Sequence, residues 1–106
     1  MILGYRYTDE ETCAAVKEVH DQHNYVIDPH GAVGYLAAQA YGKTHPNQKT
    51  VILETAHPAK FLPVMEPILG KIDVPVRLAV LSDKEKAAID MSTEFEPFKA
   101  WLRSRG

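Results

Sequence analysis

The sequence has few or none of the cysteines, basic runs and long apolar stretches that are typical of disulfide-bonded, nucleic-acid-binding and membrane proteins. It contains a single cysteine, Cys13, so no disulfide can form within the chain, and a reducing compartment suits it best. The sequence has twelve Lys and Arg and fourteen Asp and Glu, which gives a net charge of −2, and it contains no basic run. This composition argues against nucleic acid as a partner. No apolar stretch has the length of a membrane span, and the opening Met1 to Arg6 is too short for a signal peptide. The sequence therefore predicts a cytoplasmic protein that binds neither nucleic acid nor a membrane.

Metal ligands and nucleophiles are also sparse. His20 and His23 are three residues apart on a predicted helix, but no third ligand of suitable spacing accompanies them. Cys13 falls on the apolar side of the same helix with no base beside it. We therefore predict no metal site and no cysteine nucleophile.

What is present is the composition of an ordinary globular domain. Of the 106 residues, 45% are hydrophobic and 25% are charged, so the chain is not a disordered tail. A compact unit of this length buries roughly 60–70% of its unfolded surface. No internal repeat, low-complexity segment or linker divides the sequence, and we expect residues 1–106 to form a single unit.

Capping and stop signals predict several helices. Thr8 and Glu11 form a capping box that begins a helix ending near Asn24. Asp28 followed by Pro29 begins a second helix, made mostly of small apolar residues, which Gly42 is expected to stop. Further helices are predicted over residues 62–69 and 75–86, although alternating apolar residues also allow a strand within 75–86. A second capping box, Thr93 with Glu96, begins a last helix that ends in Arg103 and Arg105.

Two apolar runs predict strands between these helices. Residues 25–27 and the β-branched run 50–55 each precede a loop. A strand, a helix and a second strand in this order predict a right-handed crossover and a parallel sheet. We therefore expect an α/β fold with short parallel strands and flanking helices, and with Asp28 and Thr55 at the same edge of the sheet.

The two junctions that follow these strands carry the candidate site residues. In parallel α/β sheets, ligands bind at the carboxyl ends of the strands. Asp28 and His30 follow the first predicted strand, whereas Thr55, His57 and Lys60 follow the second. Together with the free amides at a helix start, they suggest a pocket for an anion or a cofactor. The alternative is that Asp28 only caps its helix and the His-Pro pairs only shape loops.

The same two junctions resemble a known family. The sequences DPHGAVG at residues 28–34 and ETAHPAKF at residues 54–61 look like two signature blocks near the carboxyl end of threonine synthases. The similarity extends to the segment before the first block and to the Pro-initiated helix and last helix of the family's tail. It therefore supports the helical interpretation of residues 75–86. Many family members carry Thr where this sequence has Gly31.

The resemblance implies an enzyme that uses pyridoxal 5'-phosphate and has the tryptophan-synthase-β-like fold, fold type II. Such a lyase converts O-phosphohomoserine and water to threonine and phosphate in threonine biosynthesis. It implies that Thr55 binds the pyridine nitrogen of the cofactor, with Asp28, His30, His57 and Lys60 as possible neighbours in the pocket. None of the eight lysines matches the family's cofactor-binding lysine block, which we expect upstream.

Two hypotheses follow. In the first, the chain is a carboxyl-terminal fragment of the large cofactor-binding domain, carries no catalytic residue of its own and is inactive alone. In the second, it is a self-standing small α/β module for phosphate-ligand binding or assembly. The first predicts extensive exposed apolar surface and self-association. Part of the contact is expected to come from Val26, Ile27, Leu36, Val51, Ile52 or the last-helix face of Phe95, Phe98 and Trp101. The second predicts a polar exterior.

Overall fold

The computed structural model describes residues 1–106 and contains only helices and loops. The elements are α1 (Asp9–His23), α2 (Pro29–Thr44), a 3₁₀ turn (Pro58–Phe61), α3 (Leu62–Leu69), α4 (Val76–Ser82) and α5 (Phe95–Arg103). None of these helices combines the length and the apolar character that crossing a membrane requires.

The first helix begins and ends where the sequence predicts. The Thr8 amide donates to Glu11 Oε2 at 2.7 Å, and the Glu11 amide donates to Thr8 Oγ1 at 3.2 Å. These two bonds satisfy amides that a helix start otherwise leaves free. At the other end, Asn24 adopts a left-handed conformation with φ of 50°, and its amide donates to the His20 carbonyl. The predicted capping box is confirmed.

The second helix starts as predicted but continues past Gly42. Asp28 is its N-cap and Pro29 its first residue. The helix runs on to Thr44, and the His45 amide then donates to the carbonyls of Tyr41 and Gly42. The His45 ring also stacks on the Tyr41 ring at 4.0 Å between centroids. The prediction of a stop at Gly42 is wrong, because this cap and stacking contact end the helix later.

The remaining helices begin close to their predicted positions. The predicted capping box at Thr93 is wrong, because Glu94 is the N-cap of α5 and no side chain caps that helix. Gly70 follows α3 with φ of 77°, a conformation that favours glycine. Pro75 is the N-cap of α4, so the helical interpretation of this region is confirmed over its first part, and the structure ends the helix at Ser82.

The core lies where α1, α2 and α3 meet. Its largest fully buried apolar side chains are Met65 of α3 and Val16 of α1, joined by Ile27, Ala32 and smaller neighbours. Only 11 of the 106 residues are buried. The radius of gyration is 18.5 Å, whereas a compact domain of this length has about 13 Å. Much apolar surface therefore stays exposed, including the α5 face that carries Phe95, Phe98 and Leu102.

The predicted α/β fold is wrong, because the structure contains no strand. No backbone hydrogen bond joins residues 25–27 to residues 50–55, so neither the parallel pairing nor the crossover forms. In the second segment, Ile52 instead packs against Gly34 of α2, whereas Val51 and Leu53 are exposed. An apolar β-branched run predicts an extended, buried segment. A β-strand also needs a second strand close enough for backbone hydrogen bonds, and two short strands alone are marginally stable.

Candidate ligand-binding cleft

Glu54 joins the two predicted site segments. Its Oε1 accepts a hydrogen bond from the Asp28 amide at 2.6 Å, and its Oε2 accepts one from the Tyr25 hydroxyl at 2.8 Å. Hydrogen bonding to the Glu54 carboxylate raises the pKa of Tyr25 above its ordinary value, since it favours the protonated phenol. The segments therefore lie side by side, as the sequence predicts for their junctions, but a side chain holds them together.

Asp28 is fully buried at the start of α2. Its Oδ1 accepts from the His30 amide at 2.8 Å and lies 3.0 Å from His30 Nδ1, whereas its Oδ2 is buried without any partner. The His30 ring is exposed and tilts against Phe61 at 5.1 Å. Burial opposes ionisation of Asp28, but the hydrogen bonds that it accepts from the His30 amide and ring hold the pKa of Asp28 below its ordinary value.

This lowered pKa predicts an acid-dependent loss of stability. A carboxyl group whose pKa is depressed in the folded state stabilises that state above the unfolded pKa, about 3.9 for aspartate. The contribution disappears as the pH falls through the folded pKa. We therefore expect the free energy of unfolding, measured with urea, to drop below about pH 4.

The variant Asp28→Asn keeps an acceptor for the His30 amide but cannot ionise, so its stability should depend less on pH across that range. Asp90→Asn is the matched control, because Asp90 is exposed in a loop. An unchanged pH dependence in Asp28→Asn would contradict the assignment.

A cleft opens beside Glu54 and contains three of the predicted site residues. Its volume is about 490 Å³, and the residues that line it are Glu54, Thr55, Ala56, His57, Lys60, Pro75 and Leu78. Thr55, His57 and Lys60 are all exposed there. Asp28 and His30 do not line the cleft. The five predicted residues thus form two groups, with Glu54 between them.

His57 and Lys60 give the cleft its polar character. The Ala59 amide donates to His57 Nδ1 at 3.1 Å, so in the neutral ring Nε2 carries the proton. Lys60 lies in the 3₁₀ turn that His57 caps. A hydroxyl, an imidazole N–H and an ammonium group on one wall are donors suited to a ligand with an anionic group and a further acceptor.

A second cavity of about 420 Å³ shares Glu54, Ala56 and His57 with this cleft. Tyr25, Lys71 and Asp73 provide its other polar groups. No three His, Cys, Asp or Glu residues are grouped as a metal site would need.

The sequence-based prediction missed Glu54 and Tyr25. Glu54 was assigned to the end of an apolar strand, and Tyr25 to the start of another. The available signal is a lone carboxylate at the end of the apolar run Val51, Ile52 and Leu53, since a charged group in a segment expected to be buried needs a partner.

Comparison with known proteins gives a consistent set of relatives. Residues 31–101 match the family described as "Threonine synthase, C-terminal". The chain is 34% identical over 94 residues to threonine synthase of Escherichia coli, which covers 88% of this chain and 22% of that protein. It is 31% identical over 101 residues to the Pseudomonas aeruginosa threonine synthase, covering 93% of this chain and 21% of that protein. The chain thus spans about a fifth of the length of these relatives. No solved structure matches it.

Proposed function

The chain belongs to the threonine synthase family, and from this premise we propose that it forms one wall of the pyridoxal 5'-phosphate site in a threonine synthase. The reaction is the conversion of O-phosphohomoserine and water to threonine and phosphate. The observation that carries the proposal is the cleft in which Thr55, His57 and Lys60 lie together, within the part of the chain that matches the family.

The donor set of the cleft fits this cofactor. Both oxygens of Glu54 already accept hydrogen bonds from Tyr25 and Asp28, so we do not assign Glu54 as the partner of the cofactor's ring nitrogen. The hydroxyl of the exposed neighbour Thr55 is then the neutral donor available to a pyridine nitrogen. A neutral partner leaves that nitrogen largely unprotonated, whereas a carboxylate would favour its protonation.

We assign the following roles to the residues of this wall. Thr55 donates to the ring nitrogen and orients the cofactor, which supplies an electron sink when bound. Lys60 and the Nε2–H of His57 face the cleft as donors to anionic groups. Asp28 and His30 support the wall from behind, through Glu54. The lysine that binds the cofactor covalently comes from elsewhere in the enzyme.

This assignment predicts that residues 1–106 alone are inactive. Incubated with pyridoxal phosphate and O-phosphohomoserine, the chain should release no phosphate above background. Borohydride, which makes a cofactor–lysine bond permanent, should label no single lysine stoichiometrically, as judged by peptide mapping. A full-length enzyme that carries this chain is the positive control. Stoichiometric labelling of one lysine here, together with threonine formation, would contradict the proposal.

The exposed apolar surface favours this function over a self-standing module. Such a module was expected to have a polar exterior. Instead Val51 and Leu53 are 83% and 81% exposed, and Phe95 is 67% exposed. These side chains are too apolar for a finished surface of this size and suit packing against further protein.

The same surface predicts self-association of the isolated chain. Sheet edges cannot contribute, because no strand is present, and Ile27 is buried. The α5 face of Phe95, Phe98 and Leu102 is the proposed contact, and a stable dimer would bury at least about 1,000 Å² in total. Sedimentation over a wide concentration range should show dimers or larger species, and Phe98→Asp should shift them toward monomer. A monomer at all concentrations would contradict this prediction.

A further inference from the structure

We propose that Glu54 is a positioning residue, which holds Thr55 and the cleft against the start of α2. The inference rests on the proposed function, because it explains how the cofactor-binding hydroxyl is placed. Glu54 is not itself assigned a contact with cofactor or substrate.

The first argument is that residues 50–56 have no other polar attachment to the helices. They take part in no backbone–backbone hydrogen bond outside helices, and they belong to no helix. The Glu54 carboxylate makes the side-chain bonds that join this segment to the residues before α2, over 26 and 29 positions of sequence. Without this carboxylate, the segment would be positioned by apolar contacts such as that of Ile52 with Gly34.

The second argument is that the surroundings of Glu54 suit a fixed carboxylate. Its two bonds use both oxygens, so its direction is determined as well as its distance. The amide it accepts from belongs to the N-cap of α2, where the helix dipole favours negative charge. Gly31 leaves room for it, since a Cβ there would lie 3.3 Å from Glu54 Cδ and 2.8 Å from Ile27 Cγ1.

The third argument is adjacency. Thr55 follows Glu54 directly, and both line the same cleft. A misplacement of about 1 Å can cost an enzyme about 100-fold in rate. Fixing the Glu54 carboxylate therefore fixes the hydroxyl of the next residue relative to α2.

The experiment uses a full-length enzyme that carries this chain, with four single variants, and with Thr55→Val alone and combined with Glu54→Ala. Glu54→Ala removes both bonds, Tyr25→Phe removes one, and Glu54→Gln retains an acceptor for the Asp28 amide. Glu85→Ala is the matched control, because Glu85 is exposed in the loop after α4. The dissociation constant for pyridoxal phosphate is measured by absorbance, and hydrogen exchange of the peptide over residues 50–57 is measured in the cofactor-free protein.

We expect Glu54→Ala to weaken cofactor binding by at most about 150-fold, the full loss of the Thr55 hydrogen bond, and to speed exchange of the 50–57 peptide. Tyr25→Phe and Glu54→Gln should have smaller effects in the same direction, and Glu85→Ala none. In a Thr55→Val background, Glu54→Ala should weaken binding much less than it does alone, because Glu54 acts through Thr55. A merely structural role would instead give additive losses.

The outcomes separate the two proposals. If the unmodified enzyme binds no pyridoxal phosphate, the proposed function fails, and the exchange data alone decide the role of Glu54. If Glu54→Ala changes neither exchange nor affinity, or if its loss is additive with that of Thr55→Val, the positioning role is overturned. Should Glu54→Ala fail to fold, Tyr25→Phe and Glu54→Gln provide the same tests.

Discussion

Thr55→Val is expected to weaken pyridoxal phosphate binding by about 5-fold to 150-fold in a full-length enzyme that carries this chain. Valine keeps the shape and β-branching of threonine but cannot donate a hydrogen bond. The ring nitrogen of the bound cofactor then lacks its partner, at a cost of about 1–3 kcal/mol. Threonine formation should fall with the affinity, while the urea midpoint stays unchanged because Thr55 is exposed.

The matched control is Thr93→Val, since Thr93 is exposed in the loop before α5 and does not line the cleft. The same loss of a hydroxyl at this position should leave affinity and turnover unaltered. Equal behaviour of the two variants would show that the Thr55 hydroxyl has no role in binding.

Met65→Ala is expected to have the largest effect on stability. Met65 is fully buried and belongs to the core that α1, α2 and α3 share. Truncation of a buried methionine to alanine removes apolar contacts and leaves a cavity, which costs about 2–5 kcal/mol. Urea denaturation of the chain, followed by circular dichroism, should show an earlier transition or a partly unfolded protein at the outset.

Met91→Ala is the control for this variant. Met91 is 37% exposed, so its truncation loses less apolar burial and should shift the transition far less. Similar losses for the two variants would place the principal core elsewhere than around Met65.

The helices could be predicted because their signals are local. The Thr8 and Glu11 pair and the Asp28-Pro29 step each act within a single turn, so neighbouring residues suffice to locate them. The two strand predictions failed, because a strand depends on a partner distant in sequence. Residues 50–55 have strand-like composition but make no backbone pairing, and Ile52 packs on Gly34 of α2 instead.

In the candidate site, too, the local features could be predicted and the long-range ones could not. Thr55, His57 and Lys60 fall within six residues of sequence, so their shared cleft follows from one short turn. The positions of Asp28 and His30 were inferred from a sheet edge that does not exist, and these residues lie outside the cleft. Glu54 was missed because its partners are 26 and 29 residues away, beyond the reach of any local pattern.

The long-range hydrogen bond of Glu54 also bears on the order in which parts of the chain fold. α1 and α2 are joined by only five residues, and helices form within about a microsecond, so their contact needs little loop closure. The Asp28–Glu54 bond closes 26 residues of chain and must wait for a larger loss of conformational entropy. We expect the cleft to form after the contact between α1 and α2 during folding. In the folded protein the cleft should open more often than these two helices separate.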